Sequence, residues 1–342
     1  MMDQLLEESM LAAEKAFQDK DFYFSYSSLN KLLWSPAAFY QIYVMGIREE
    51  KTSSFLVNGK IIHALLLDPE SVKKNYIFSP TSLPGENTKY VVDRVFSHHT
   101  ELVKHGDTRT KLEEYSDAIV DVLKDMNLHQ SLKTDDQRVA KIISTEALSY
   151  WNFLMQKEGK EIIDVATLDY CVEAANIIKN DEEMCKLMGI NPTEFDNIEV
   201  YNEQEFSYDL EGRSFKGIKG IIDNLVIDHD KKVIFINDLK TTSKELKDFR
   251  ESIDYYSYWM QSAMYSAIVY GNFIKDKYPD YNMQFHFIVI DKNLQAYAFP
   301  VSQYTSNAWL MKLDDSFKIA DYHMSNNKFH LPYDFCTKKV VL

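Results

Sequence analysis

Residues 220–240 read GIIDNLVIDHDKKVIFINDLK, and the fold turns on how this stretch pairs. Gly220 to Ile227 is an apolar run rich in β-branched residues, and His229, Asp230, Lys231 and Lys232 make a polar break. Val233 to Leu239 is a second apolar run, so the segment reads as a β-hairpin. If Asp228 pairs with Val233, Asp223 lies directly opposite Asp238. Lys240 then shares the face of Asp238, because side chains alternate along a strand.

Two carboxylates facing each other across strands repel, by roughly 0.2–1 kcal/mol even where exposed. A positive charge between them relieves this. Hard oxygen ligands on fixed strands suit Mg²⁺ or Mn²⁺, which take one or two protein carboxylates and leave other positions to water and phosphate. Lys240 is then placed to orient or deprotonate a water, or to neutralise charge on a phosphate. The alternative is a polar hairpin surface with two solvent-facing acids and an extended lysine.

Gly220-Ile-Ile-Asp223 followed by Asp238-Leu-Lys240 resembles the core of the PD-(D/E)XK nuclease superfamily. Three further segments in the same order resemble its RecB-type branch. They are the opening Ser25-Tyr-Ser-Ser-Leu-Asn-Lys-Leu-Leu-Trp-Ser-Pro-Ala-Ala-Phe39, the G-x-x-x-H of Gly59-Lys-Ile-Ile-His63, and the Q-x-x-x-Y of Gln261-Ser-Ala-Met-Tyr265. Within that branch, His63-Ala-Leu-Leu-Leu-Asp-Pro-Glu70 and Asp238-Leu-Lys-Thr-Thr242 are most similar to the RecE, or exodeoxyribonuclease VIII, type of phage exonuclease. Residues 80 to 195 carry no matching motif.

The resemblance implies a restriction-endonuclease-like α/β core and a Mg²⁺- or Mn²⁺-dependent DNA exonuclease working 5′→3′ on duplex ends in recombination. Asp223, Asp238, Lys240, Gln261 and Tyr265 become the catalytic candidates. His63, Asp223, Asp238, the Leu239 carbonyl and one further acid become the metal ligands. The strand Glu199-Val-Tyr-Asn-Glu203-Gln-Glu205 offers three acids on one face, and Glu205 is preferred because it lies nearest the G-x-x-D strand. The alternative for these acids is a charged strand edge that resists aggregation. A single-strand or structure-specific endonuclease would use the same site. A non-catalytic DNA-binding or assembly protein of the same fold would be expected to lose an acid or the lysine.

The 38 basic residues against 52 acidic ones give a net charge of −14, unfavourable for a phosphate polymer at long range. Inside a cleft the local lining decides instead. Arg213, Lys216, Lys219 and Lys244 gather around the motif strands, and Lys216, Lys219, Thr241 and Lys244 are the candidate DNA contacts. The RecE type also implies a single-strand annealing partner and a ring-shaped homo-oligomer. Iron–sulfur members of the branch need four cysteine ligands. Here Ser35 stands where the first would be and only Cys336 lies late in the chain, so no cluster is expected.

At 342 residues and 45% hydrophobic content the chain can bury a sizeable core. Residues 1–190 read as a mainly helical part carrying the G-x-x-x-H motif and 191–342 as the nuclease core, together one compact unit. Helices are expected over 3–18, Ser27–Val44 (with Pro36 opening a second one), Ser54–Leu67, Lys244–Tyr270 and Ser306–Met324, and strands from Ile198 onward. The helix over 244–270 puts Gln261 and Tyr265 on one face and its aromatic residues mostly in the core. The acidic N-terminus is unlike a leader peptide, and no apolar run approaches the ~20 residues of a membrane span. A cytosolic location is therefore expected.

Overall fold

The computed structural model describes residue 17, residues 21–47 and residues 54–340, with side chains from 57 onward in the last segment. The helix expected over 3–18 lies outside these residues apart from Phe17. Contacts divide the chain into a unit of Met1–Asp68 with Glu173–Leu342 and a second unit of Pro69–Val172. The helices that carry Ser28 and His63 thus belong with the strands, a different division from that by composition at residue 190.

In the first unit, strand β1 (Tyr23–Phe24) leads to helix α1 (Tyr26–Trp34) and helix α2 (Pro36–Phe39), which runs into a wider turn at Tyr40–Val44. Ser25 caps α1 and Ser35 caps α2, each accepting a hydrogen bond from a backbone amide of the first turn. Helix α3 spans Ser54–Leu67, as its apolar spacing predicts.

The second unit holds α4 (Pro69–Asn75), β2 (Tyr76–Phe78), α5 (Glu86–Lys104), α6 (Ser116–Asp125), α7 (Asp135–Ile142), α8 (Thr145–Gln156) and β3 (Glu161–Ile163). Strands β2 and β3 pair in parallel, and Val91, Val95, Tyr115, Ile119 and Trp151 form a core of this unit. Helix α9 (Val165–Lys179) carries the chain back to the first unit.

There follow α10 (Glu182–Met188), β4 (Ile198–Asp209), β5 (Gly217–Asp228), β6 (Val233–Thr241), α11 (Phe249–Tyr255), α12 (Tyr258–Val269), β7 (Asn282–Ile290), β8 (Ala296–Pro300), α13 (Gln303–Asn326) and α14 (Tyr333–Cys336). The six strands of this unit form one mixed sheet in the order β1-β5-β6-β7-β8, with β4 also on β5. Strands β4, β5 and β6 are antiparallel neighbours, β6 and β7 parallel, β7 and β8 antiparallel. The fold is α/β, a central mixed sheet flanked by helices.

The hairpin has the expected register. Asp228 pairs with Val233 and Asn224 with Asn237. The turn is held by Asp228, which accepts from the amide of Lys231 at 2.8 Å. Leu225, Ile227, Ile234 and Ile236 pack with Met260, Met264 and Ile268 of α12 in the main core. Helix α12 is buried on nearly every face, so it acts as a central pillar.

The single helix expected over Lys244–Tyr270 is broken. Ser257 has a left-handed backbone, φ +60°, which ends α11 and starts α12. A non-glycine residue held there stores about 1–3 kcal/mol of strain. The break also corrects the expectation of an aromatic core: Trp259 and Tyr265 are buried, but Tyr255 is 80% and Tyr256 50% exposed.

Next to Asp223 and Asp238 along β5 and β6 runs a polar ladder. The Asn237 amide donates to Asn224 Oδ1 at 2.7 Å and to the Leu187 carbonyl at 2.9 Å. The Asn224 amide donates to Asn202 Oδ1 at 2.8 Å and to the Met188 carbonyl at 2.9 Å. Three strands are thereby locked in register to the last carbonyls of α10, orphan acceptors of a helix end. Asn237→Ala leaves the Leu187 carbonyl and the Asn224 oxygen without this donor in a buried setting. The expected loss is about 1–3 kcal/mol of stability, read as a lower urea midpoint; an unchanged midpoint would show that the ladder does not hold the sheet.

Candidate active site

Strand β5 changes partners along one edge. Strand β4 covers its other edge along nearly its full length, while β6 covers Asn224–Asp228 and β1 only Gly217–Ile218. Residues 219–223 therefore have no strand partner on that edge among the described residues. At the end of this gap the Asp223 side chain stands in for a strand: its Oδ2 accepts from the Leu239 amide at 2.8 Å.

Asp238 follows on β6, fully buried, with Oδ2 2.5 Å from Lys240 Nζ and Oδ1 without a hydrogen-bond partner. Burial pushes its carboxyl up to about 7, against the pull of Lys240 and with the like charge of Asp223 adding to the rise. Burial draws the Lys240 ammonium down, but the charges of Asp238 and Asp223 outweigh it and hold it above its ordinary value. Two carboxylates face one ammonium, so the shared proton stays on Lys240.

Helix α3 brings His63 to the same place. Its Nε2 lies 2.9 Å from the Leu239 carbonyl, and its Nδ1 lies 3.2 Å from Glu203 Oε1 and 3.9 Å from Asp223 Oδ2. A carbonyl oxygen only accepts, so Nε2 carries a proton and Nδ1 is the atom turned toward the acids. The Leu239 carbonyl, a metal-ligand candidate from the sequence, accepts this hydrogen bond from His63. Burial lowers the imidazole, but Asp223 and the Glu203 hydrogen bond outweigh it and leave His63 above the usual histidine value. Gly59, one turn earlier, lets α3 lie close to β6: a Cβ there would stand 3.3 Å from Thr241 Oγ1.

The acid that stands beside His63 and Asp223 is Glu203, whereas the preferred Glu205 stands elsewhere on the strand. Asn202 pairs with Asn224 and Gln204 with Ile222, so the register sets Glu203 beside Asp223. Glu203 has a left-handed backbone, φ +47°, a local kink that sequence periodicity does not report. Glu205 instead lies 3.3 Å from Lys219, and Glu199 binds His229, Tyr201 and Tyr278.

Gln261 and Tyr265 both lie buried on α12, with the Gln261 amide donating to the Tyr265 hydroxyl at 3.1 Å. A Cβ on Gly220 would come within 2.6 Å of the Tyr265 ring, so the first glycine of G-x-x-D and the tyrosine of Q-x-x-x-Y are one packing contact. Burial and then the charges of Asp238 and Asp223 push the Tyr265 phenol well above its ordinary value, and it stays protonated. Two further residues adjoin Lys240: Tyr258, which the helix spacing puts on the face of Gln261 and Tyr265 and whose ring centre is 5.1 Å from Nζ, and Tyr26, pushed up to about 12 by burial, then Tyr258, against Lys240. Tyr26 sits in the quoted opening segment, which is the one signal that pointed to it.

The basic lining is partly self-neutralised. Lys216 pairs with Asp21 at 2.7 Å, Lys244 with Glu251 at 2.8 Å, and Arg213 with Asp314 and Asp321 of α13. Exposed pairs of this kind are worth about 0–1 kcal/mol, so a phosphate can replace the lysine partners. Thr241 stays against Gly59. A cleft of about 510 Å³ is lined by Phe22, Tyr23, Ser25, Tyr43 and Lys219 and by none of the acids above.

Donor atoms of His63, Glu203 and Asp223 all lie within 4.8 Å of one another. With the unpartnered Asp238 oxygen, they offer carboxylate oxygens and one imidazole nitrogen, a set that fits a hard divalent cation such as Mg²⁺ or Mn²⁺. Such an ion would also relieve the crowding of acids.

Residues 23–292 match the model of the PD-(D/E)XK nuclease superfamily. No curated protein matches the chain. Among solved structures, one from Eubacterium rectale named "Putative exonuclease" is similar, with 14% identity over 96% of this chain and 91% of that chain and a TM-score of 0.45. No helix among the described residues is long and apolar enough to cross a membrane.

With His63 Nδ1 as a metal ligand, the ion has to displace its proton, and because the imidazole is held above the ordinary histidine value, that competition begins at a correspondingly higher pH. Mn²⁺ affinity is expected to fall by about tenfold per pH unit for each proton displaced, with Asp238 adding to the slope below about 7. Calorimetric titration between pH 5.5 and 8 measures this, and His63→Gln should flatten the profile; a pH-independent affinity would remove His63 from the ligand set.

Proposed function

Since the chain belongs to the PD-(D/E)XK nuclease superfamily, we propose that it is a divalent-metal-dependent deoxyribonuclease of the RecE type. It would degrade the 5′ strand of linear duplex DNA and leave a 3′ single strand for recombination. The observation that carries this reading is the convergence of His63, Glu203 and Asp223 on one point, beside a buried Asp238 that is ion-paired to Lys240.

When bound by His63, Asp223, Asp238 and Glu203, Mg²⁺ would supply Lewis-acid stabilisation of charge on the scissile phosphate. The remaining work belongs to the chain. In hydrolysis a water oxygen forms a new bond to phosphorus, the bond from phosphorus to the sugar oxygen breaks, and a water proton ends on the leaving oxygen. Lys240, protonated and desolvated, presents N–H donors to the phosphate as its negative charge grows. In so dry a setting such a donor is worth far more than in water. Tyr265 and Gln261 hold the wall of the site and keep bulk water from Asp238. The His63 ring is fixed by the Leu239 carbonyl, so it needs no reorganisation.

The acidic surface disfavours tight non-specific binding, which suits an enzyme that stays on its DNA by enclosing it. A ring-shaped homo-oligomer, a single-strand annealing partner and a cytosolic setting belong to the same proposal.

The test is cleavage of linear duplex DNA with either 5′ or 3′ ends blocked, in Mg²⁺ or in EDTA. Loss of activity in EDTA and protection by the 5′ block are expected. Asp238→Asn should abolish cleavage, and Lys240→Ala should reduce it by about 10²–10³-fold, both with an intact fold by circular dichroism. Full activity in both variants would sink the assignment, and cutting of circular single-stranded DNA would replace the exonuclease with an endonuclease.

A further inference from the structure

Three tyrosine rings lead outward from Lys240. The Tyr258 ring centre lies 5.1 Å from Lys240 Nζ, Tyr256 stacks on Tyr258 at 5.4 Å and 27°, and Tyr255 meets Tyr256 edge-on at 4.8 Å. Exposure rises along the row to 50% at Tyr256 and 80% at Tyr255.

The row is rigid at its base. Phe249 stacks behind Tyr258 at 6.2 Å, and the Tyr26 hydroxyl donates to the backbone carbonyl of Tyr256. The left-handed turn at Ser257 keeps the two outer rings out of the core. A chain that leaves two adjacent tyrosines in water at a strained turn, one ring away from a buried ammonium, forgoes the stabilisation of burying them.

We propose that Tyr256 and Tyr255 form a stacking platform for the nucleobase next to the scissile phosphate, and that this base must be unpaired to reach it. The proposal rests on the nuclease reading above and adds the state of the substrate strand. A base inside a duplex has both faces covered by its neighbours, whereas a base at a frayed end or in a single strand offers a free face to an aromatic ring. Such stacking tolerates any base, since each has a π-face. The charge pattern agrees. Lys244 lies within electrostatic reach of Tyr256, and its partner Glu251 holds it only through an exposed bridge that a backbone phosphate can take over. Phosphates would then be held by Lys240 on one side of the rings and Lys244 on the other.

The experiment is steady-state cleavage of a single-stranded oligonucleotide compared with the same strand carrying abasic residues at the nucleotides flanking the cut. For the natural protein, removing the bases is expected to raise KM by about 5- to 150-fold, the ratio matching ~1–3 kcal/mol per stacked base. Tyr255→Ala/Tyr256→Ala should raise KM for the normal strand by a similar factor, change kcat little, and no longer distinguish normal from abasic DNA. Tyr255→Phe/Tyr256→Phe should behave as the natural protein, and Tyr255→Ala alone, at the most exposed ring, should show part of the effect without disturbing the fold. A double alanine variant that still distinguishes abasic DNA, or a natural protein that never does, overturns the platform and leaves the nuclease reading standing. A natural protein that cuts no DNA in Mg²⁺ or Mn²⁺ overturns both.

Discussion

One hydrogen bond organises this molecule: the amide of Leu239 donates to the carboxylate of Asp223 where a sheet would use a backbone carbonyl. Strand β5 pairs with β6 as far as Asn224 and with β1 only at Gly217–Ile218. Between those points, among the described residues, β5 has an edge without a strand partner, and its polar groups must be satisfied by something. A carboxylate can serve one strand amide and still keep lone pairs for another partner, which a backbone carbonyl locked in a ladder does less freely. The gap thus makes room for a site without leaving the Leu239 amide an orphan donor. The asparagine ladder immediately below it, from Asn202 through Asn224 to Asn237, keeps the three strands from slipping.

The electrostatics follow from this placement. A fully buried carboxylate beside a second carboxylate is unfavourable unless cations answer both. Lys240 answers Asp238, and the His63 imidazole answers Asp223 and Glu203. Apart from the ion pair of Oδ2 with Lys240, the Asp238 carboxylate has no hydrogen-bond partner, and a divalent cation would supply the charge that side chains do not. The tyrosines around Lys240 lower the local dielectric and so strengthen each of these interactions.

Much of the fold was legible along the chain. The hairpin register, the helix over Ser54–Leu67 and the second helix opened by Pro36 follow from local apolar spacing and from capping residues that act over a few positions. The break at Ser257 was not legible, because serine carries no strong preference for a left-handed backbone and the surrounding aromatic spacing suits an unbroken helix. For the same reason Tyr255 and Tyr256 read as core. Nor does spacing distinguish among Glu199, Glu203 and Glu205. Side chains at alternate positions look equivalent until a kink in one strand and the register with its neighbour single out one of them.

The sequence by itself determined the chemistry on offer: two acids and a lysine on paired strands, a histidine one turn after a glycine, and membership in a nuclease superfamily over residues 23–292. Only the tertiary structure decided that Glu203 stands with His63 and Asp223, that the Leu239 carbonyl accepts from His63, that Lys240 pairs with a buried Asp238, and that Tyr255 and Tyr256 stand in solvent. The reason is one of range. Hydrophobic periodicity and capping act over neighbouring residues, whereas a proton's position and a ligand's aim depend on groups 140 to 176 residues apart in the chain, as His63 is from Glu203 and Leu239. Such groups meet only when the sheet and its helices pack.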